Sequence, residues 1–214
     1  MPPVPSLPRV WIVTHPDHPR GLVAPIAQAL EGCPPGLVGV QLRAKQASDR
    51  ELLAWGRELR AITRAAGAPL TLNRRADLAT IVGADGVHLP ERGIAPGELR
   101  RHWPALKWIG VSRHDAPGLL RATDEGASFA FLSPVFEVPE KGAPLGVAGF
   151  IRAIAGVALP TYALGGLAAE HVRPLLSAGA RGIAVRRAIY DAEDPRDALS
   201  DLLRELDNVP PSGD

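Results

Sequence analysis

Eight short β-rich runs recur along the chain, and a helix-forming segment follows each one. The runs fall at about 10–14 (VWIVT), 37–42 (LVGVQL), 69–72 (PLTL), 85–89 (DGVHL), 108–112 (WIGVS), 129–132 (FAFL), 161–164 (TYAL) and 182–185 (GIAV). Helices are expected at about 21–31, 49–66, 76–83, 96–102, 116–125, 146–155, 169–178 and 195–206. The clearest is 49–66, where Leu52, Leu53, Trp55, Leu59 and Ile62 keep helical spacing behind Ser48, a capping residue. Strict β-then-α alternation calls for parallel strands joined by crossover helices. Eight such units in 214 residues point to one closed (β/α)8 barrel of the TIM type.

Repeated Gly-Ala steps agree with this reading. "AAGAP", "VGADG", "EGAS" and "SAGARG" each put a glycine where a helix must end and the chain must turn into the next strand. An open doubly wound sheet is the competing arrangement. It needs a glycine-rich turn after the first strand, and "THPDHPRG" is a poor candidate for one. The barrel is expected to be a single domain over residues 1–208, with a disordered tail at 209–214.

Net charge is +1, which argues against bulk attraction to nucleic acid or to an anionic membrane. The single Cys33 excludes an internal disulfide and any cysteine-rich zinc site. "MPPVPSLPRV" lacks the pattern of a secretory signal, and no apolar run approaches the roughly 18 residues of a membrane span. A cytoplasmic enzyme or binding protein acting on a small molecule is the expectation, with homo-oligomerisation left open.

Chemistry in such a barrel sits on the loops that follow the strands. Those loops carry His15, Asp17 and His18 after the first strand, Arg43 and Lys45 after the second, and Asn73, Arg74 and Arg75 after the third. The fourth brings His88, Glu91 and Arg92, and the fifth Ser112, Arg113, His114 and Asp115. "SPVFEVPEKGAPLG", after the sixth, adds Ser133, Glu137, Glu140 and Lys141. Arginine and lysine outnumber acids on this rim, and a local excess of one sign concentrates an oppositely charged ligand. In "QLRAK", Gln41, Arg43 and Lys45 alternate, so all three project to one face of the strand. Polar groups turned inward there are costly unless a ligand satisfies them. "ALGGL" and "GIAVRRAIY" end the seventh and eighth strands. Gly165, Gly166 and the amides of Val185, Arg186 and Arg187 form a candidate monophosphate site, with an arginine charge assisting.

These pieces, in this order, resemble the thiamine phosphate synthase superfamily, which includes the TenI-type thiazole tautomerases. The matching stretches are "VQLRAK" (40–45), "LNRRADLA" (72–79), "GADGVHL" (83–89), "IGVSRHD" (109–115), "LSPVF" (132–136), "PLG" (144–146), "YALGGL" (162–167) and "GARGIAVRRAI" (179–189). The resemblance implies a (β/α)8 barrel binding a thiazole with a phosphoethyl arm, its phosphate at the seventh and eighth loops. The synthases join that thiazole to a pyrimidine activated as a diphosphate, with Mg2+. Loss of diphosphate leaves a stabilised pyrimidine cation that the thiazole nitrogen attacks. On this resemblance Gln41, Arg43, Lys45, Asn73 and Lys141 occupy the positions of the basic clamp, and Arg74, Arg75 and Ser112 join them as expected substrate contacts.

The chain departs from the synthase pattern at the metal ligands. Arg74 stands where the first acid is expected and Gly93 where the second is; Val138 and Glu140 replace diphosphate-gripping threonines, and Arg187 a serine. The tautomerases resemble one another in a histidine on the sixth loop, which residues 133–146 lack, Pro134 standing at the matching position. Candidate proton-transfer groups are then His114, His88 and Glu137. The departures at the metal-ligand positions favour a TenI-like, metal-free tautomerase without cofactor, the absent loop histidine being its own departure from that pattern. The alternatives are a divergent synthase, with Mg2+ only in that case, and a non-catalytic binder of thiazole or thiamine phosphate.

Overall fold

A computed structural model describes residues 6–139 and 141–207. Eight parallel strands close into a barrel in chain order: β1 (Val10–Val13), β2 (Val38–Leu42), β3 (Leu70–Asn73), β4 (Gly86–Leu89), β5 (Trp108–Arg113), β6 (Phe129–Leu132), β7 (Thr161–Leu164) and β8 (Gly182–Val185). Val10 pairing with Ile183, and Ile12 with Val185, closes the ring. The helices are α1 (Ala24–Leu30), α2 (Asp49–Ala65), α3 (Ala76–Val82), α4 (Pro96–His102), α5 (Ala116–Asp124), α6 (Gly146–Ile154), α7 (Val172–Ser177), α8 (Arg187–Tyr190) and α9 (Pro195–Asp207). The single-domain (β/α)8 reading is correct. The expected tail at 209–214 lies outside the described residues.

Local chemistry explains the element boundaries. Ser48 accepts from the Glu51 amide while Glu51 reaches back to the Ser48 amide, so a capping box starts α2. Gly83 ends α3 with φ 67°, and Gly67, Gly126 and Gly179 share that left-handed conformation at the other Gly-Ala steps. Two expectations need correction. The helix expected at 21–31 begins only at Ala24, with Pro25 in its first turn, where a missing N–H costs nothing. The segment 169–178 splits into a 3-10 turn, Ala169–His171, and α7, which carries Pro174. The short helix α8 falls in a segment where no separate helix is expected from periodicity.

Alternation along each strand sorts the side chains into two cores. Val10 and Ile12 face the helices, as do Ala130 and Leu132. Trp11, Val13, Trp108, Phe129, Phe131, Tyr162 and Ala184 fill the barrel interior instead. Trp11 stacks on Phe129 with ring centroids 5.1 Å apart, an arrangement that suits aromatic quadrupoles when the rings are offset. Such large rings fit because β2 and β5 carry glycines facing them. A Cβ on Gly39 lies 2.6 Å from the Trp11 ring, and one on Gly110 lies 2.3 Å from Phe129. Below the rings, the Tyr162 hydroxyl donates to the Pro8 carbonyl at 2.5 Å. Above them, the inward positions turn polar, with Gln41, Asn73, His88 and Ser112. That change of chemistry along one face places the site at the carboxyl ends of the strands.

Candidate active site

The polar layer opens into a cleft of about 980 Å3, a size suited to small-molecule ligands. Every strand contributes to its wall or rim. Gln41, only 2% exposed, donates from Nε2 to Asn73 Oδ1 at 3.4 Å, linking β2 to β3. One residue beyond β2, Arg43 is pinned by a reciprocal pair: its amide donates to Thr14 Oγ1 at 2.8 Å, and Thr14 Oγ1 donates to the Arg43 carbonyl at 3.1 Å. Its guanidinium therefore rises into the cleft from a fixed backbone.

Four cations crowd this region. Burial lowers the Arg43 pKa, and Arg186 lowers it further. Lys141 is lowered by partial desolvation first, then by Arg43, Lys45 and Arg186. All four side chains line the cleft. Cations held close enough to disfavour one another's charged form are a cost to the empty fold, and a bound polyanion offsets it.

Gly165 and Gly166 line the same cleft, with Val185 and Arg187. Their φ angles are 104° and 65°, and a Cβ on Gly166 lies 2.6 Å from the Glu137 carbonyl. Glycine is required there because the loop after β6 docks onto the end of β7, with Val135 and Phe136 donating their amides to Leu164 and Gly165 carbonyls at 3.0 Å each.

The expected site residues divide. Gln41, Arg43, Lys45, Asn73, Arg74, Ser112, His114, Glu137, Lys141, Gly165, Gly166, Val185, Arg186 and Arg187 all line the cleft. Arg75 does not. It donates to Asp77 from Nε (2.9 Å) and from its second terminal nitrogen (2.6 Å), and it pairs with Asp49 as well. Those two carboxylates raise its pKa. Arg75 thus clamps the start of α3 to the start of α2, and its expected substrate contact is corrected.

His88 is also placed elsewhere than expected. It is 1% exposed and packs on Phe131 at 4.4 Å between centroids. Its Nε2 lies 3.0 Å from Ser112 Oγ. Burial, with Arg43 and Arg113 nearby, pushes its pKa down to about 3. A neutral, enclosed imidazole of this kind supports Ser112 and does not reach the cleft. His114 does reach it, and its Nδ1 donates to the Ser133 carbonyl on the loop after β6. That bond fixes the tautomer and leaves Nε2 as the acceptor. Arg113, on the same strand end, turns outward to the Gly118 carbonyl at 3.0 Å and to Glu125. Three charged cleft residues carried no assigned role in the sequence reading: Glu91, Arg92 and Asp191. The first two follow β4 and were legible as rim residues; Asp191 returns to the cleft only because α8 folds it back.

The resemblance implies magnesium for the coupling reaction, which takes one or two carboxylates together with substrate phosphates. The two positions corresponding to acids hold Arg74 and Gly93, and Arg74 and Arg92 both line the cleft. Glu91 has a buried Oε2 without a hydrogen-bond partner, but it shares a side pocket with Arg113 and Arg121. No three His, Cys, Asp or Glu side chains gather into a metal-binding group among the described residues. A guanidinium has no lone pair to offer a metal, and adjacent cations repel one. Arg74 and Gly93 do not fit a protein-held magnesium ion at the two positions to which the resemblance assigns its ligands.

Fold and site together define a (β/α)8 barrel that gathers cationic side chains in a cleft at the carboxyl ends of its strands. The particular family follows from residues spread along the whole ring: the chain belongs to the thiamine monophosphate synthase family, whose model matches residues 10–189. It is 38% identical over 204 residues to the thiamine-phosphate synthase of Thermus thermophilus, covering 94% of this chain and 98% of that one. A thiamine-phosphate synthase from Chloroflexus aurantiacus is 36% identical over 199 residues, covering 91% and 90%. The thiamine phosphate pyrophosphorylase structure from Pyrococcus furiosus superposes with a TM-score of 0.84 at 31% identity, over 93% of this chain and 95% of that one. No helix among the described residues is long and apolar enough to cross a membrane.

Proposed function

We propose that this chain couples a thiazole phosphate to a pyrimidine diphosphate, as a divergent thiamine phosphate synthase. The carrying observation is that Arg43, Lys45, Lys141 and Arg186 share one cleft with the Gly165–Gly166 turn. That much positive charge suits a diphosphate and a monophosphate held together. The relatives above bear the name thiamine-phosphate synthase, which favours coupling over the TenI-like tautomerase expected from the sequence.

In the reaction, the bond between the pyrimidine methylene carbon and the diphosphate oxygen breaks, and diphosphate keeps the electron pair. The thiazole nitrogen then supplies its lone pair to that carbon, so no proton is transferred. The protein's tasks are to stabilise the departing diphosphate and to align the two rings, with Phe131 and Leu164 as apolar cleft surfaces. A metal-free tautomerase is the second reading, favoured by His114 and Glu137, both of which line the cleft.

Purified protein mixed with thiazole phosphate, the pyrimidine diphosphate and Mg2+ should form thiamine phosphate at enzymatic rates. Isomerisation of the thiazole carboxylate phosphate with no coupling product overturns the proposal and supports the second reading. Restoration of thiamine-independent growth to a synthase-deficient strain is the matching genetic test.

A further inference from the structure

We propose that the Arg74 guanidinium binds the diphosphate directly, in the place where a metal ion would otherwise bridge it to the protein. The assignment rests on the coupling reading for the identity of the anion. Arg74 has φ 70°, and no other non-glycine among the described residues has positive φ. Its amide donates to the His88 carbonyl at 2.9 Å, which holds that conformation between β3 and β4. The left-handed region is adopted more readily by Asp or Asn than by a long side chain, so an arginine here occupies an unfavourable backbone state.

What that state achieves is visible against the neighbouring residue. Arg75 is saturated by Asp49 and Asp77. Arg74, one residue earlier, lines the cleft and has no side-chain hydrogen bond or ion pair among the described residues. β3 lies four strands from β7 around the eight-strand ring, so Arg74 and the Gly165–Gly166 turn enter the mouth from opposite sides. Arg92 lines the same mouth from the end of β4. A guanidinium can bind phosphate oxygens bidentately and stays charged throughout. It thus supplies charge neutralisation and orientation, the two services a bridging cation performs, with no dissociable ion.

Inorganic pyrophosphate binding by titration calorimetry, run in EDTA and again with Mg2+, tests the assignment. Wild-type protein should bind in EDTA, with Mg2+ giving no more than about a threefold gain. Arg74→Ala should bind about tenfold or more weakly in EDTA, as loss of a charge-assisted contact implies. Arg74→Asp should lose at least as much without a lower melting temperature, since aspartate suits the backbone better. Binding that requires Mg2+ in the wild type, or is unchanged in Arg74→Asp, overturns the assignment. Coupling turnover is measured alongside. Metal-free, Arg74-dependent pyrophosphate binding without any coupling overturns the coupling reading and leaves Arg74 as a polyanion ligand. Coupling that stops in EDTA overturns the Arg74 assignment and leaves the reading standing.

Discussion

Arg74 and Arg75 are adjacent in sequence and opposite in use, and the division is a matter of which carboxylates reach them. Asp77 is two residues from Arg75 and was legible as a partner; Asp49 comes from the start of α2 and was not. Arg75→Ala is accordingly expected to lower stability by about 0.5–1 kcal/mol, the scale of a partly exposed pair network. Its pyrophosphate affinity should stay within twofold of wild type by calorimetry; a tenfold loss would return Arg75 to the ligand. His88 has a different signature. Folded His88 stays neutral to about pH 3, whereas an unfolded histidine takes up a proton near pH 6.5. Between those values the unfolded chain holds the extra proton, so stability falls as pH drops through this window, by about 1.4 kcal/mol per pH unit from this residue. His88→Gln should flatten the melting temperature's dependence on pH between 6 and 4; an unchanged slope would place the effect on other groups.

At the scale of elements, the strand runs were readable because each is short, apolar and bounded by turn residues. Outside the polar alternation of β2, their inward and outward faces were not, since strands such as β1 and β6 are buried on both sides. The consequence is clearest at Gly39 and Gly110, which carry no chemistry and look expendable in a one-dimensional reading. Each leaves the space an aromatic ring fills from another strand. Gly110→Ala is expected to destabilise the barrel by about 1–3 kcal/mol, as overpacking of a dense interior does. Denaturant titration checks it, and a change under 0.5 kcal/mol would mean the Phe129 ring can move aside. The split of 169–178 and the late start of α1 follow from Pro174 and Pro25, whose effects depend on where in a helical turn each falls.

For the molecule as a whole, a near-neutral chain concentrates its positive charge at one end of the barrel. Net charge of +1 conceals the cluster of Arg43, Lys45, Lys141 and Arg186. Such a cluster trades stability for function. Removing one member should relieve repulsion and desolvation in the empty protein while weakening anion binding. Arg43→Met is expected to raise the melting temperature by about 2–4 °C, the shift that 1 kcal/mol produces at this size. It should also cost tenfold or more in pyrophosphate affinity. A lower melting temperature would show that Arg43 is structural in the free protein. Affinity in the wild type should weaken with ionic strength, as focused electrostatic attraction does.

Sequence alone determined the eightfold alternation, the closed barrel and the set of loops that carry chemistry, because hydrophobic period and helix punctuation are local properties. It also identified most of the residues lining the cleft, since strand ends are known once strands are. Only the tertiary structure decided which arginine lines the cleft and which is neutralised by carboxylates. It alone showed that His88 is sealed beneath the cleft, and that α8 brings Asp191 back to it. Those outcomes depend on distances between residues far apart in the chain, and charge pairing and desolvation are set by such distances, whatever the residue type.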